Sequence, residues 1–290
     1  MPNEPRIALL GLGVMGAGMA HRLLDAGLPL AVHNRTRSKA EPLGARGARI
    51  ADTPREAAAG ADVVIAMLAD DGASCDTWLG ADGALAGAAP GTVLVEASTV
   101  TPEWIAELAR AAAGRGCPLL DAPVTGSKAQ AASGALRFLV GGDAAALERA
   151  RPVLSVLGQT IVHLGPTGSG ALLKLVNNFL CGVQAAALAE AVALVERSTL
   201  DPQTAFDVLT NGAPGSPLVK SLLPRMTARD YVPNFHLALM GKDLAYAQRT
   251  AEGYGLELAS AATARATFQR AVAAGLGESD FSAVVEPLRP

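Results

Sequence analysis

Gly11-Leu12-Gly13-Val14-Met15-Gly16 is the stretch whose reading decides the fold, because of what stands on either side of it. Arg6–Leu10 before it is a short apolar run of strand length, and Val14–Ala26 after it reads as a helix. A G-x-G-x-x-G run between a strand and a helix has a definite physical use. The first glycine allows the tight turn, the second lets backbone approach a pyrophosphate, and the third lets helix and strand pack closely. The new helix then offers free N–H groups and the positive end of its dipole to the phosphates. Gly11, Leu12, Gly13, Val14, Met15 and Gly16 are therefore the expected binding loop of a nicotinamide dinucleotide.

Outward from this loop, apolar runs recur at Pro29–His33, Ala48–Ala51, Asp62–Met67, Thr92–Glu96, Pro118–Asp121, Leu136–Val140 and Thr160–His163. Most are continuous rather than alternating, as parallel strands covered on both faces require. Helical segments at Thr36–Ala45, Pro54–Ala59, Thr101–Gly114 and Ala144–Leu157 fall between them. Alternating β and α at this spacing predicts an α/β Rossmann domain, doubly wound with a mostly parallel sheet, over residues 1–165. Beyond residue 165 the strand signals stop. Gly165-Pro166-Thr167-Gly168-Ser169-Gly170 opens a long helix running to about Ser198, and helices follow at Asp201–Thr210, Pro217–Met226, Leu237–Gly253 and Ala259–Ala274. Residues 166–290 are expected to be an all-α domain joined by that long helix.

Composition excludes several classes. Of 290 residues 18% are charged, and the net charge of −3 provides no global basic field for nucleic acid. The cysteines Cys75, Cys117 and Cys181 have neither disulfide-framework nor zinc spacing, so no metal is expected. Met1–Arg6 carries no signal-peptide pattern, and the longest apolar stretch, Leu172–Val195, is interrupted by Lys174, Asn177, Asn178, Gln184 and Glu190. The expectation is a cytoplasmic protein with no membrane span.

The turn after the second strand selects the cofactor. His33-Asn34-Arg35-Thr36-Arg37-Ser38 lacks the acid that would bond a free ribose 2′-hydroxyl. Arg35 can face a 2′-phosphate, with Asn34 and Thr36 donating hydrogen bonds, so NADP(H) is the expected preference, with NAD(H) possible. Met67 and Leu68 end the fourth strand and Ser98-Thr99 follows the fifth, all at the carboxyl edge where open α/β sheets bind ligands.

Three further segments bear on chemistry. Thr125, Gly126 and Ser127 form a donor-rich loop suited to a carboxylate, although the same residues also read as an ordinary turn. Lys174 and Asn178 share one face of an otherwise apolar helix. A partly buried lysine has a lowered pKa and can protonate a nascent alkoxide; the other reading is a lysine snorkelling to water. Lys242, in Met240-Gly241-Lys242-Asp243-Leu244, either reaches a cofactor or forms a surface charge pair with Asp243.

Four motifs in order, Gly11–Leu23, Asp121–Ser127, Gly168–Asn178 and Lys242–Leu244, resemble the β-hydroxyacid dehydrogenase family over nearly the whole chain. The resemblance implies Lys174 as catalytic lysine and Asn178 as its substrate-positioning partner. It implies Thr125 and Gly126 as carboxylate binders, with Thr where Ser is commoner, and Thr99 and Lys242 as cofactor contacts. Asn34-Arg35-Thr36 and Ser127-Lys128 look like the NADP-dependent glyoxylate/succinic semialdehyde reductase branch. The implied activity is reduction of a small aldehyde acid, the substrate being a small carboxylate, in a homodimer or homotetramer. A 3-hydroxyisobutyrate-type oxidation and imine reduction are the alternatives. The substrate pocket is expected around Phe179, Pro214, Phe235 and Leu239.

Overall fold

The structure is a computed structural model that describes residues 4–289. By contacts the chain divides between Lys174 and Leu175.

The first unit is built on a sheet of β1 (Ile7–Leu10), β2 (Leu30–His33), β3 (Arg49–Ile50), β4 (Val63–Ala66), β5 (Val93–Glu96), β6 (Leu119–Asp121), β7 (Val124–Thr125), β8 (Leu136–Gly142) and β9 (Gly158–Gly165). The strand order is β3-β2-β1-β4-β5-β6-β8-β7, with β9 beside β8. From β3 to β6 every pairing is parallel; β8 runs antiparallel to β6 and β7. The first six strands thus have the 3-2-1-4-5-6 order of a doubly wound dinucleotide fold, as the alternation of β and α predicted.

The sequence of β1 shows why its run is continuous. Ile7 and Leu9 pack into one core cluster, and Ala8 and Leu10 into another; in β4, Val63 and Ile65 separate from Val64 and Ala66 in the same way. Successive side chains of a strand point to opposite faces, so a strand with helices on both faces needs an apolar residue at every position. Burying each of the Val, Leu and Ile side chains among these contributes about 1.5–3 kcal/mol, and the alanines less.

The second unit is helical. It contains most of the long helix Ser169–Arg197, then Pro202–Asn211, Pro217–Ala228, Leu237–Gly253 and Ala259–Ala273, and a 3₁₀ segment Phe281–Leu288. Its core gathers Ala189, Val192, Met226, Leu237, Leu244, Phe268 and Val284. Near its C-terminus Arg289 bonds Glu196, Glu286, the Tyr231 hydroxyl and the Met226 carbonyl, a clasp absent from any short-range pattern. The long helix is long and apolar enough to cross a membrane, but half of its apolar stretch is buried inside the protein.

The sequence reading placed the boundary at 165/166, whereas contacts place it inside the long helix. The first turn of that helix belongs to the first unit for a physical reason: Ala171 packs in that unit's core, and the Asp121 side chain accepts the backbone N–H groups of Gly168 and Ala171.

Candidate active site

The strand order reverses between β1 and β4, and a crevice forms at such a switch point outside the carboxyl ends. Gly11 leaves β1 there with φ of +95°, and a Cβ on it would stand 2.3 Å from the Met67 carbonyl oxygen. A Cβ on Gly16 would stand 2.0 Å from the Gly11 carbonyl oxygen. A Cβ on Gly13 would meet nothing within 4 Å. Two glycines are thus forced by the loop's own packing, and the third keeps a space clear. Gly13 caps the helix Val14–Asp25, which has no side-chain cap and no acid in its first turn, so its N–H groups and dipole are left for an anion. This loop fits the pyrophosphate of a dinucleotide.

Asn34 has a different place from the one expected. Its Oδ1 accepts the Leu12 backbone N–H at 2.8 Å, and its Nδ2 donates to the Thr36 carbonyl at 2.9 Å. It braces the binding loop against the turn after β2. Arg35 and Thr36 are exposed on that turn, and the Arg35 side chain has no hydrogen-bond or ion-pair partner among the described residues. Arg37 is committed to Asp52. Met67, Leu68 and Thr99 are half-buried at the carboxyl edge, where the Leu68 N–H donates to the Ser98 hydroxyl at 2.7 Å.

The loop after β6 is partly strand. Val124 and Thr125 pair with Phe138 and Arg137 of β8, a pairing that no local pattern foretold. Gly126 follows with φ of +125°, a conformation that favours glycine. Ser127 turns inward on its own helix, its N–H and its hydroxyl both donating to Gln130 Oε1 at 2.9 and 2.5 Å. Thr125 and Gly126 are left as the better carboxylate candidates.

Asp121 is a site residue that sequence reasoning quoted without a role. Its Oδ1 accepts Gly168 N–H at 2.7 Å and its Oδ2 accepts Ala171 N–H at 2.8 Å. Burial pushes this carboxyl up, and the backbone bonds from Gly168, Ala171 and Gly170 oppose that. A negative group at the first turn also suits the helix dipole. The result is a tie between the strand that leads into Thr125 and the helix that presents Lys174. Gly170 lets the two approach, since a Cβ there would lie 2.6 Å from the Asp121 carbonyl oxygen.

Lys174 is half-buried and lies one helical turn beyond Ala171; Asn178, one turn further, is buried. In the second unit Asn178 Nδ2 donates to Asp243 Oδ2 at 2.6 Å, and Asn178 Oδ1 accepts from Asn177 Nδ2 at 2.9 Å. Lys242 Nζ lies 3.0 Å from Asp243 Oδ1 and 4.7 Å from the centroid of the Tyr246 ring. The fully buried Asp243 therefore joins Asn178 to Lys242, which the sequence had singled out separately. A signal for it existed. Met240, Asp243, Leu244, Ala247 and Thr250 share the buried face of one helix, so by period 3.6 Asp243 falls inside rather than on the surface.

Comparison with known proteins agrees with this architecture. A family model described as the NAD binding domain of 6-phosphogluconate dehydrogenase matches residues 6–165. A second, described as NAD-binding of NADP-dependent 3-hydroxyisobutyrate dehydrogenase, matches residues 168–288. The chain is 38% identical to the NAD-dependent L-serine dehydrogenase of Pseudomonas aeruginosa, over 98% of each chain. It is 37% identical to the chloroplastic glyoxylate/succinic semialdehyde reductase 2 of Arabidopsis thaliana, over 98% of this chain and 79% of that one. Among solved structures, the Mycobacterium tuberculosis 3-hydroxyisobutyrate dehydrogenase with L-serine superposes with a TM-score of 0.88 at 35% identity, covering 99% of this chain and 100% of the other. This chain belongs to the β-hydroxyacid dehydrogenase family and is an NAD(P)-dependent oxidoreductase.

Proposed function

We propose that the protein reduces a small aldehyde acid of the succinic semialdehyde or glyoxylate class with NADPH, Lys174 giving the proton. The observation that carries this reading is the Asp121 tie, which sets the Lys174 helix against the strand leading into Thr125 and Gly126. A carboxylate held by Thr125 and Gly126 fixes the substrate, and orientation of this kind supplies a large part of a barrier reduction. The bound nicotinamide supplies the hydride. As the carbonyl carbon accepts it, the Lys174 ammonium transfers a proton to the carbonyl oxygen, giving the hydroxyacid and a neutral amine that solvent reprotonates. Asn178, whose amide donates to Asp243, would orient the substrate oxygen in this reading. The 37% identity to a glyoxylate/succinic semialdehyde reductase supports the substrate class.

The NADP preference rests on Arg35, exposed and without a hydrogen-bond or ion-pair partner among the described residues, on a turn without an acid beside it. Arg35→Ala is expected to lower kcat/KM with NADPH by about 10- to 100-fold, the loss of one or two charge-assisted bonds, and to leave NADH kinetics nearly unchanged. Parallel initial-rate measurements with both cofactors check this. Equal losses with both would refute the 2′-phosphate contact.

A second reading has its own support in the 38% identity to an NAD-dependent L-serine dehydrogenase: oxidation of a β-hydroxyacid. A spectrophotometric screen decides between them. It would follow NADPH consumption with glyoxylate, succinic, methylmalonate and tartronate semialdehydes and cyclic imines, and NAD⁺ or NADP⁺ reduction with L-serine and 3-hydroxyisobutyrate. Turnover of succinic semialdehyde or glyoxylate with NADPH is expected. Turnover confined to the hydroxyacids with NAD⁺ would move the assignment to the second reading.

A further inference from the structure

Glu96 ends β5 and its side chain is fully buried, yet it belongs to none of the motifs above. The groups that face it are neutral donors. Trp78 Nε1 bonds Oε2 at 2.8 Å, the Ser98 backbone N–H bonds Oε1 at 2.9 Å, and the Ser74 and Ser98 hydroxyls complete the set. Burial pushes the Glu96 carboxyl up, and these bonds offset only part of that. The protons decide its state. The Ser74 oxygen already accepts the Trp104 indole N–H at 2.8 Å and the Ser98 oxygen the Leu68 N–H, so a proton on Glu96 aimed at either serine would cost that serine's own hydroxyl proton its carboxylate acceptor in a buried site. With Glu96 ionised, every one of these protons has an acceptor.

The position of this charge matters. In a dinucleotide fold the two mononucleotide halves of the sheet take the two ends of the cofactor. The turn after β2 belongs to the adenosine end, which leaves the carboxyl edge of β4 and β5 for the nicotinamide. Glu96 controls that edge twice. Through Ser98, whose hydroxyl accepts the Leu68 N–H, it ties the end of β5 to the end of β4. It also places a negative charge, unmatched by a cation among its bonding partners, beneath both. The oxidised nicotinamide ring is a cation and the reduced ring is neutral.

We propose that Glu96 is a positioning residue of the nicotinamide edge whose buried charge biases cofactor binding toward the oxidised form. The inference uses NAD(P) binding alone and stands whichever substrate the screen returns. It gives a reductase a device for stabilising its cofactor after the hydride has left.

Titration of NADP⁺ and NADPH by calorimetry, with no substrate present, tests it. In Glu96→Gln the ratio of the NADP⁺ to the NADPH dissociation constant should rise, of order tenfold for a unit charge acting through a protein interior. Glu96→Asp, which keeps the charge, should hold the ratio nearer its original value. Ser98→Ala removes the tie to Leu68 but keeps the charge, so it should weaken both forms in parallel. If Glu96→Gln does not fold, Glu96→Met supplies a neutral side chain of similar length for the same titration. A ratio unchanged in a folded neutral variant overturns the proposal, because a purely structural glutamate would affect both forms equally.

Discussion

Lys174→Ala should leave NADPH bound and nearly abolish turnover. General acid catalysis by a positioned side chain contributes about 10²- to 10⁴-fold, and a loss of kcat in that range is expected. The cofactor affinity should survive because the pyrophosphate loop, Gly11–Gly16, lies on a different element and is braced by Asn34 rather than by the lysine. The Michaelis constant for the aldehyde acid should change by less than kcat, since the carboxylate is held by Thr125 and Gly126 while the lysine acts on the developing alkoxide. Stopped-flow measurement of a single turnover, together with NADPH titration of the variant, separates these effects. Turnover within threefold of the parent would end the assignment of Lys174 as proton donor. Asp121→Asn offers an internal comparison, because it keeps the lysine and disturbs only the helix start that presents it.

The elements and residues that were legible share a property: their signal is local. β1, β4 and β5 announce themselves by continuous apolar runs because helices cover both of their faces. Thr101-Pro102 and Asp201-Pro202 announce helices because capping is decided within four residues, and in the structure both side chains accept the expected backbone N–H. What escaped depends on residues far apart in sequence. The strand Val124–Thr125 exists through pairing with β8. The helix Asp71–Leu79 carries Gly72, Ser74 and Thr77, poor formers individually, and is held by Trp78 against Glu96. Among site residues, Asp121 acts on backbone 47 and 50 positions downstream, and Asp243 on a side chain 65 positions upstream. Neither separation leaves a trace in spacing. Asn34 was read as a donor to the cofactor from the turn after β2, whereas its amide braces the glycine loop, an alternative that side-chain chemistry alone does not distinguish from ligand contact.

Gly13→Val and Gly16→Ala should both destroy cofactor binding, and for opposite reasons. At Gly13 the backbone has φ of −72°, which any residue adopts, and nothing lies within 4 Å of the added Cβ. The variant should therefore fold with a melting temperature close to that of the parent. Its side chain would fill the space that the loop keeps clear in front of free helix N–H groups, and NADPH affinity should fall by about 100-fold or more, as expected when a close backbone–phosphate approach is blocked. At Gly16 an added Cβ would lie 2.0 Å from the Gly11 carbonyl oxygen, a rigid backbone atom, so the helix must move away from β1. That strain in a close-packed interior costs about 1–3 kcal/mol or more, and Gly16→Ala should melt several degrees lower even with no cofactor present. Thermal melts of both apo variants, read beside NADPH titrations, distinguish the two. If Gly13→Val binds NADPH normally, the cleared space is not where the pyrophosphate goes, and the cofactor must enter the crevice in another register. If Gly16→Ala melts like the parent, the loop is softer than its contacts indicate, and the third glycine owes its place to the ligand rather than to the fold.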